Sequence, residues 1–350
     1  MPVTIRDVAK RANVAPSTVS RVIANHPRIS QITKDKVKEV MQELGYHPNF
    51  NARSLVNRST QTIGIVLPSS GDKAMQNPFF PEVIRGISAK AHENRYGLYL
   101  TTGSDEEEIY EGVADMVYGG RVDGVVLLYS RINDQIIDLL QNQTLPFVVI
   151  GKPFRDVDRI THIDNDNFKA AKEAAEYLIE RNHRRIGFVG GNLDLVVTVD
   201  RLNGYKTAIR EAGLALRKDY IVHEEFLKEG GSEAIKELMS VDAPPTGLVV
   251  SDDLMALGIL NALDEMNIEV PDALSIISFN NVLLSEISTP SLTSVCIHIF
   301  ELGYGAMDAL IEKINDAEVA TKRITVGHRI IERNSCKVIT AEKRNENSTN

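Results

Sequence analysis

From residue 61 onward the sequence alternates short apolar runs with amphipathic stretches, and it does so in two successive series. The first series has apolar runs at 63–67, 98–101, 125–128 and 147–150, with helical patterns near 79–95, 105–118 and 131–142. The second has runs at 160–163, 186–189, 220–222, 248–250 and 274–279, with helical patterns near 167–182, 200–212, 231–240 and 253–267. Strand-length apolar runs separated by helical periods are the pattern of parallel strands buried under helices. Two such sets predict two similar α/β lobes within residues 61–337. The first lobe is expected to take about 61–160 and 291–320, the second about 161–290 and 321–337. Runs near 293–297 and 324–331 are read as strands that cross back and tie the lobes together.

In open parallel sheets ligands sit beyond the carboxyl ends of the strands. Polar residues cluster there: Ser69, Ser70, Ser130, Gly151-Lys152, Asp164-Asn165, Gly190-Gly191-Asn192, Asp252-Asp253 and Asn280-Asn281. Each taken singly fits a turn or a helix cap. Together they suit a cleft for a neutral, polyhydroxylated ligand, because carboxylates and amides pair with hydroxyls and aromatic faces cover the apolar side of a sugar ring.

Residues 1–60 are different in kind. They hold ten Lys and Arg against four Asp and Glu, a charge of +6, whereas the remainder of the chain carries −15. A basic head on an acidic body points to a polyanion partner for the head. Thr4 can cap a first helix with Asp7 in the capping-box position, and Ile5, Val8, Ala9 and Ala12 form its apolar stripe. Asn13-Val14-Ala15 is a break. Pro16 fits the first turn of a second helix running to about Ala24, with Val19, Val22 and Ile23 inward. A third helix after Thr33 places Val37, Val40, Met41 and Leu44 on one stripe and ends at Gly45. Two short helices joined by a tight turn and backed by a third form a helix-turn-helix unit. In that geometry the start of the second helix reaches base edges. Here it presents Pro16, Ser17 and Arg21. Arg21 can donate two hydrogen bonds to a guanine edge, while Thr18, Ser20 and Asn25 suit phosphates. A small helical domain that docks protein would share the same pattern. Residues 46–60 read as a linker that can order on DNA, where Leu55 would wedge between base steps, or as a flexible tether.

Other functions find little support. No G-x-x-x-x-G-K-[ST], G-x-S-x-G or G-x-G-x-x-G is present, and the eight histidines are scattered, with no pair at metal-ligand spacing. Neither an enzyme, a metal site nor a cofactor is expected. His183 reads as a structural turn residue and the acidic run 105–108 as a helix N-terminus. No run approaches the ~20 apolar residues of a membrane span, and the opening residues have no apolar signal core. A cytoplasmic protein follows, with Cys296 and Cys336 as reduced thiols and a disulfide between them as the second reading.

Several segments resemble one family across nearly the whole chain, from Thr4 to about Asn334. They are Ile5-Arg6-Asp7-Val8-Ala9 with Ser17-Thr18-Val19-Ser20-Arg21-Val22, Glu43-Leu44-Gly45-Tyr46-His47-Pro48-Asn49, and Ala52-Arg53-Ser54-Leu55. Further on come Asn77-Pro78-Phe79-Phe80, Val122-Asp123-Gly124, Arg184-Arg185-Ile186, Asp253-Leu254-Met255-Ala256-Leu257-Gly258 and Glu301-Leu302-Gly303. The chain resembles transcription repressors of the LacI/GalR family. That resemblance implies an all-α helix-turn-helix DNA-binding head, residues 1–47, and a hinge, 48–60. It also implies an α/β core of two lobes like those of periplasmic binding proteins, with parallel sheets flanked by helices. It implies a homodimer on a pseudo-palindromic double-stranded DNA operator and a small sugar effector between the lobes. Thr4, Asn49 and Ala52 join the DNA-contacting residues, and Leu55 matches the leucine wedged between central bases. Arg201 matches the arginine that holds ligand hydroxyls. Asp252 and Asn280 fall where the family usually has Asn and Asp, and Cys296-Ile297-His298 stands where Arg-Gln-Pro is common. Phe79, Lys152, Asn192 and Phe279 are further pocket candidates. Val149-Ile150-Gly151-Lys152-Pro153 resembles members that sense glucosides, and the likeness is greatest to maltose-operon repressors. Maltose or a maltodextrin is therefore the expected effector, with a protein corepressor as the alternative control. The polar tail 338–350 has no leucine heptads, so a dimer is expected rather than a tetramer.

Overall fold

The computed structural model describes residues 3–47 and 59–340 and separates into two units, residues 1–60 and 61–350. The predicted hinge positions Asn49, Ala52 and Leu55 lie outside the described residues.

The first unit contains three helices, α1 (Ile5–Ala12), α2 (Pro16–Ile23) and α3 (Gln31–Glu43). The backbone N–H and hydroxyl of Thr4 both donate to Asp7 Oδ2, at 2.9 and 2.7 Å, so the expected cap is formed. Asn13 takes a left-handed conformation, φ +52°, that turns the chain between α1 and α2. Helix α3 starts earlier than the sequence reading placed it. Ser30, not Thr33, is its cap, and Ser30 Oγ accepts from the Thr33 N–H. Gly45, at φ +63°, ends α3, with Tyr46 N–H donating to Met41 O at 2.8 Å. Val8, Ala9, Ala12, Val19, Val22, Val37 and Val40 are buried together. This core is small, which is why the caps and the left-handed turn matter to it.

The second unit is built on two six-stranded sheets. The first sheet contains β1 (Thr62–Val66), β2 (Gly97–Thr101), β3 (Gly124–Leu127), β4 (Phe147–Ile150), β5 (His162–Asn165) and β11 (Arg323–Val326), in the order β11-β5-β4-β3-β1-β2. All its pairs are parallel. The second contains β6 (Ile186–Gly190), β7 (Ile221–His223), β8 (Gly247–Val250), β9 (Ser275–Asn280), β10 (Thr293–Cys296) and β12 (Arg329–Ile331), in the order β12-β10-β9-β8-β6-β7. Only β10 and β12 pair antiparallel. Both sheets reverse strand order beside their first strand, where doubly wound folds open a crevice.

Three strands belong to the lobe opposite to the one predicted. The run near 160–163 is β5 of the first sheet, β10 belongs to the second, and β11 returns to the first. The physical reason is that a short apolar strand buried on both faces carries no mark of which sheet it joins. The crossovers decide that, and there are three of them: after β5, after β10, and between β11 and β12. Asn165 binds them together, since its Nδ2 donates to Ile297 O at 3.0 Å and to Val326 O at 2.9 Å.

The helices cover the sheets. Asn167–Glu180 packs on Val196–Glu211, and Phe79–Glu93 packs on Ile299–Asn315, a helix that the sequence reading did not identify. Gly204 permits the first of these approaches, because a Cβ there would lie 2.0 Å from Phe168 O. His183 is buried and structural, bridging Thr246 Oγ1 and Lys337 O at 3.1 Å each. Cys296 and Cys336 are both free thiols.

Candidate functional site

The head presents one polar surface. Pro16, Ser17, Ser20 and Arg21 on α2 are exposed, and Thr18 is half-buried. Helix α2 turns its valines, Val19 and Val22, into the core, and the same geometry directs Ser17, Ser20 and Arg21 outward. Two of the predicted contact residues also hold the fold. Thr4 engages Asp7, and Asn25, in a left-handed turn at φ +50°, accepts Lys34 Nζ on its Oδ1 at 2.8 Å.

In the second unit a cavity of about 450 Å³ lies between the lobes, at the carboxyl ends of β1, β3, β6, β8 and β9. Phe79, Lys152, Asn192, Arg201, Asp252 and Asn280 all line it. Phe279 does not line it; it is fully buried beneath, with the Arg201 guanidinium 4.2 Å above its ring. Phe279 is therefore a floor for the arginine rather than a wall for a ligand. Its place on β9 next to Asn280 explains this, because successive residues of a strand point to opposite faces.

Arg201 is the buried centre of the site. Its Nε donates to Asn167 Oδ1 at 2.9 Å and its Nη1 to Ser251 O at 2.6 Å. Burial lowers its pKa to about 10, opposed by the nearby Asp252 and Asp164. Asp164, beside it, is pushed up to about 7, chiefly by burial. Asp252 caps the helix Asp253–Glu265 by accepting Leu254 N–H at 2.7 Å. Its other oxygen accepts Asn77 Nδ2 at 2.9 Å and Asn280 Nδ2 at 2.8 Å. The next residue, Asp253, faces away from the cavity lining and accepts the hydroxyls of Ser278 and Ser294. The pair is thus a helix cap followed by a structural carboxylate, not a catalytic dyad.

The charges around the cavity largely pair with one another. Lys73 meets Glu225 at 2.8 Å, Arg131 meets Glu106 at 2.6 Å and Lys152 faces Asp200 at 3.8 Å. Such a lining offers hydrogen bonds without a strong net field, which favours a neutral polar ligand over a phosphate or an ammonium. The lobes also touch through backbone. Ile132 N–H donates to Asp194 O at 2.9 Å, and Val196 N–H to Ser130 O at 3.1 Å.

Asn77, Asn167 and Phe226 also line the site, and the sequence reading had not singled them out as pocket residues. In the sequence Asn77 stands out only as part of the Asn77-Pro78-Phe79-Phe80 segment that carries the family resemblance. Nothing in the local sequence around Phe226 signals its place. No helix among the described residues is long and apolar enough to cross a membrane.

Comparison with known proteins agrees with this architecture. Residues 4–49 match the bacterial regulatory proteins of the lacI family, and residues 175–336 match a periplasmic binding protein-like domain. The chain is 41% identical over 340 residues to the HTH-type transcriptional regulator MalR of Streptococcus pneumoniae, covering 95% of this chain and 100% of that one. A crystal structure of a putative LacI transcriptional regulator from Bacillus cereus subsp. cytotoxis is 50% identical, with a TM-score of 0.78, over 80% of this chain and 99% of that one. The transcriptional regulator CelR in complex with cellobiose is 28% identical, with a TM-score of 0.75, over 95% of this chain and 99% of that one. With a helix-turn-helix head, a two-lobed core and full-length likeness to such regulators, the chain belongs to the LacI family of transcriptional regulators.

Proposed function

We propose that this regulator represses transcription from a pseudo-palindromic operator as a homodimer, and that a neutral sugar, maltose or a short maltodextrin, controls its hold on DNA. The observation that carries the sugar reading is the interlobe cavity. Its volume falls within the usual range of small-ligand sites. Arg201 is held in it by Asn167, Ser251 and the Phe279 ring, and among the described residues its Nη2 makes no hydrogen bond. Asp164 and Asn192 add hydroxyl partners, and Phe79 and Phe226 add apolar walls. The MalR likeness and the cellobiose held by CelR support a glucoside.

The DNA contacts fall to Ser17, Thr18, Ser20 and Arg21, with Asn25 on phosphate. The dimer surface falls to two exposed apolar patches, one on each lobe. Tyr99 and Leu100 lie on β2 at the edge of the first sheet, and Leu283 and Ile287 lie on the short helix Leu283–Ile287. A sugar that binds the closed lobes more tightly shifts their relative angle within the dimer, and residues 48–60 carry that shift to the heads. It acts only by its differential affinity for the two states, on the order of 1–3 kcal/mol per coupled site.

The test is selection of genomic fragments by the purified protein with and without maltose or maltotriose. Salt is held fixed because phosphate contacts make affinity steeply salt-dependent. A palindrome released by sugar is expected. A palindrome indifferent to every sugar tried would keep the DNA function and discard the sugar.

A further inference from the structure

Asn77 and Asp252 sit at the starts of two helices in opposite lobes, and each is tied into its own lobe before it meets the other. Asn77 Oδ1 accepts Phe79 N–H at 3.0 Å, at the start of the helix Phe79–Glu93. Both hydrogens of its Nδ2 go to the second lobe, one to Asp252 Oδ2 at 2.9 Å and one to Phe226 O at 3.3 Å. Asp252 Oδ1 accepts Leu254 N–H, and more weakly Met255 N–H at 3.4 Å. Its Oδ2 accepts Asn77 and, from its own lobe, Asn280. Both side chains are at most 5% exposed.

A carboxylate has about four acceptor sites, and here four donors occupy them. A ligand hydroxyl entering the cavity therefore finds no free lone pair on Asp252. We propose that Asn77 and Asp252 are positioning residues that form a latch holding the lobes closed, and that Asp252 serves closure rather than ligand contact. The exchange of residue types at 252 and 280 supports this. An Asp at 252 accepts from the Asn on either side of it, whereas an Asn at 252 would face two amide donors with its own. Two ion pairs between the lobes, Lys73 with Glu225 and Lys152 with Asp200, each have a half-exposed lysine and are screened by solvent. The Asn77–Asp252 hydrogen bond is buried on both sides and escapes that screening.

A latch of this kind makes closed-state population partly a property of the chain. Apparent ligand affinity scales with the populated fraction of the competent state, so weakening the latch weakens binding of a ligand that prefers the closed lobes. The inference rests on the sugar reading only for its choice of ligand probe.

Hydrogen exchange on the full chain tests it without any ligand. Ile132 N–H and Val196 N–H bond across the lobes and report closure, whereas strands β3 and β8 report each lobe's own stability. Asn77→Ala, and more so Asn77→Asp, should speed exchange at Ile132 and Val196 about 10-fold, as loss of a charge-assisted hydrogen bond does, and leave β3 and β8 unchanged. Asp252→Asn keeps the side-chain shape and the helix cap. Alone it should act like Asn77→Ala; combined with Asn77→Asp it should recover part of the lost protection, because the swapped pair regains its mutual hydrogen bond but not those to Phe226 O and from Asn280. In parallel calorimetry, maltose should bind Asn77→Ala about 10-fold more weakly than wild type. Equal exchange at Ile132 and Val196 in wild type and Asn77→Asp would overturn the latch. So would acceleration spread equally through β3 and β8, which would mark a merely structural role. Maltose bound by no variant, with the exchange pattern intact, would remove the sugar reading and leave the latch standing.

Discussion

The head and the interlobe cavity do their recognition with opposite arrangements. On α2 the side chains proposed to read DNA stand in solvent, and Ser17, Ser20 and Arg21 make no side-chain hydrogen bond with the rest of the described chain. In the cavity the central charged groups are held by neighbours, while the Ser130 and Ser251 hydroxyls in its lining are buried with no hydrogen-bond partner among the described residues. Arg201 is held by Asn167 and Ser251, and Asp252 by Asn77, Asn280 and a helix terminus. An exposed reading surface needs only a rigid helix beneath it, because its partner supplies the other half of each contact. A buried site must hold its charged groups before the ligand arrives, since an unpaired buried group costs about 1–3 kcal/mol and a charged one more. Substitutions should therefore be local in effect on the head and far-reaching in the core.

The largest expected effect tests the core side. Arg201→Ala removes a buried cation from beside Asp164 and Asp252 and takes away the donors to Asn167 Oδ1 and the Ser251 carbonyl. Sugar binding by calorimetry should fall by roughly 100-fold or more, while affinity for operator without sugar stays near wild type. An Arg201→Ala protein still released from DNA by sugar would break the pocket assignment.

Next is packing. Gly204→Ala sets a Cβ against the Phe168 carbonyl, where the backbone of Asn167–Glu180 must move. Overpacking of this kind costs about 1–3 kcal/mol or somewhat more. Thermal denaturation should show the core destabilised and the three-helix head unmoved. A head that melts earlier as well would erase the distinction between the two units.

Arg21→Ala should be smaller and strictly local. Specific operator binding should weaken by about 1–3 kcal/mol, with relaxed preference at one base pair and little change in affinity for unrelated DNA. Binding-site selection checks this, and an unaltered consensus would remove Arg21 from base reading.

The mildest contrast is in pH, where the two regions should respond with opposite sign. Burial raises Asp164 and Asp253 to about 7, well above the ordinary carboxylate value of 3.8. Between pH ~4 and 7 the folded core keeps protons that the unfolded chain has released. Its stability therefore falls as pH rises through that window. In the head, Asp7 is held below its ordinary value by Thr4, and Glu43 by its hydrogen bond and ion pair with Arg11. Their contribution is present above the ordinary carboxylate range and is lost only as pH falls below it. The core should melt at higher temperature at pH 5.5 than at pH 8, and the head should not. Identical shifts in both would break the comparison.

The sequence by itself determined what local physics can write. The capping pair Thr4 and Asp7, Pro16 at the start of α2 and the valine stripes fixed the head, because a helix's periodicity, caps and charge are properties of neighbouring residues. The alternation of apolar runs and helical stretches gave the two α/β lobes for the same reason. It placed Asp252 and Asn280 at the carboxyl ends of strands, the family resemblance pointed to Arg201, and those three do line the cavity. Tertiary structure alone decided which sheet β5, β10 and β11 join, since a strand buried on both faces looks alike in either lobe. It alone placed Phe279 under Arg201 rather than in the cavity and brought Asn77 to Asp252 from the far side of the cleft. A hydrogen bond between residues so distant in the chain depends on three crossovers closing in the right order, and no local propensity encodes that.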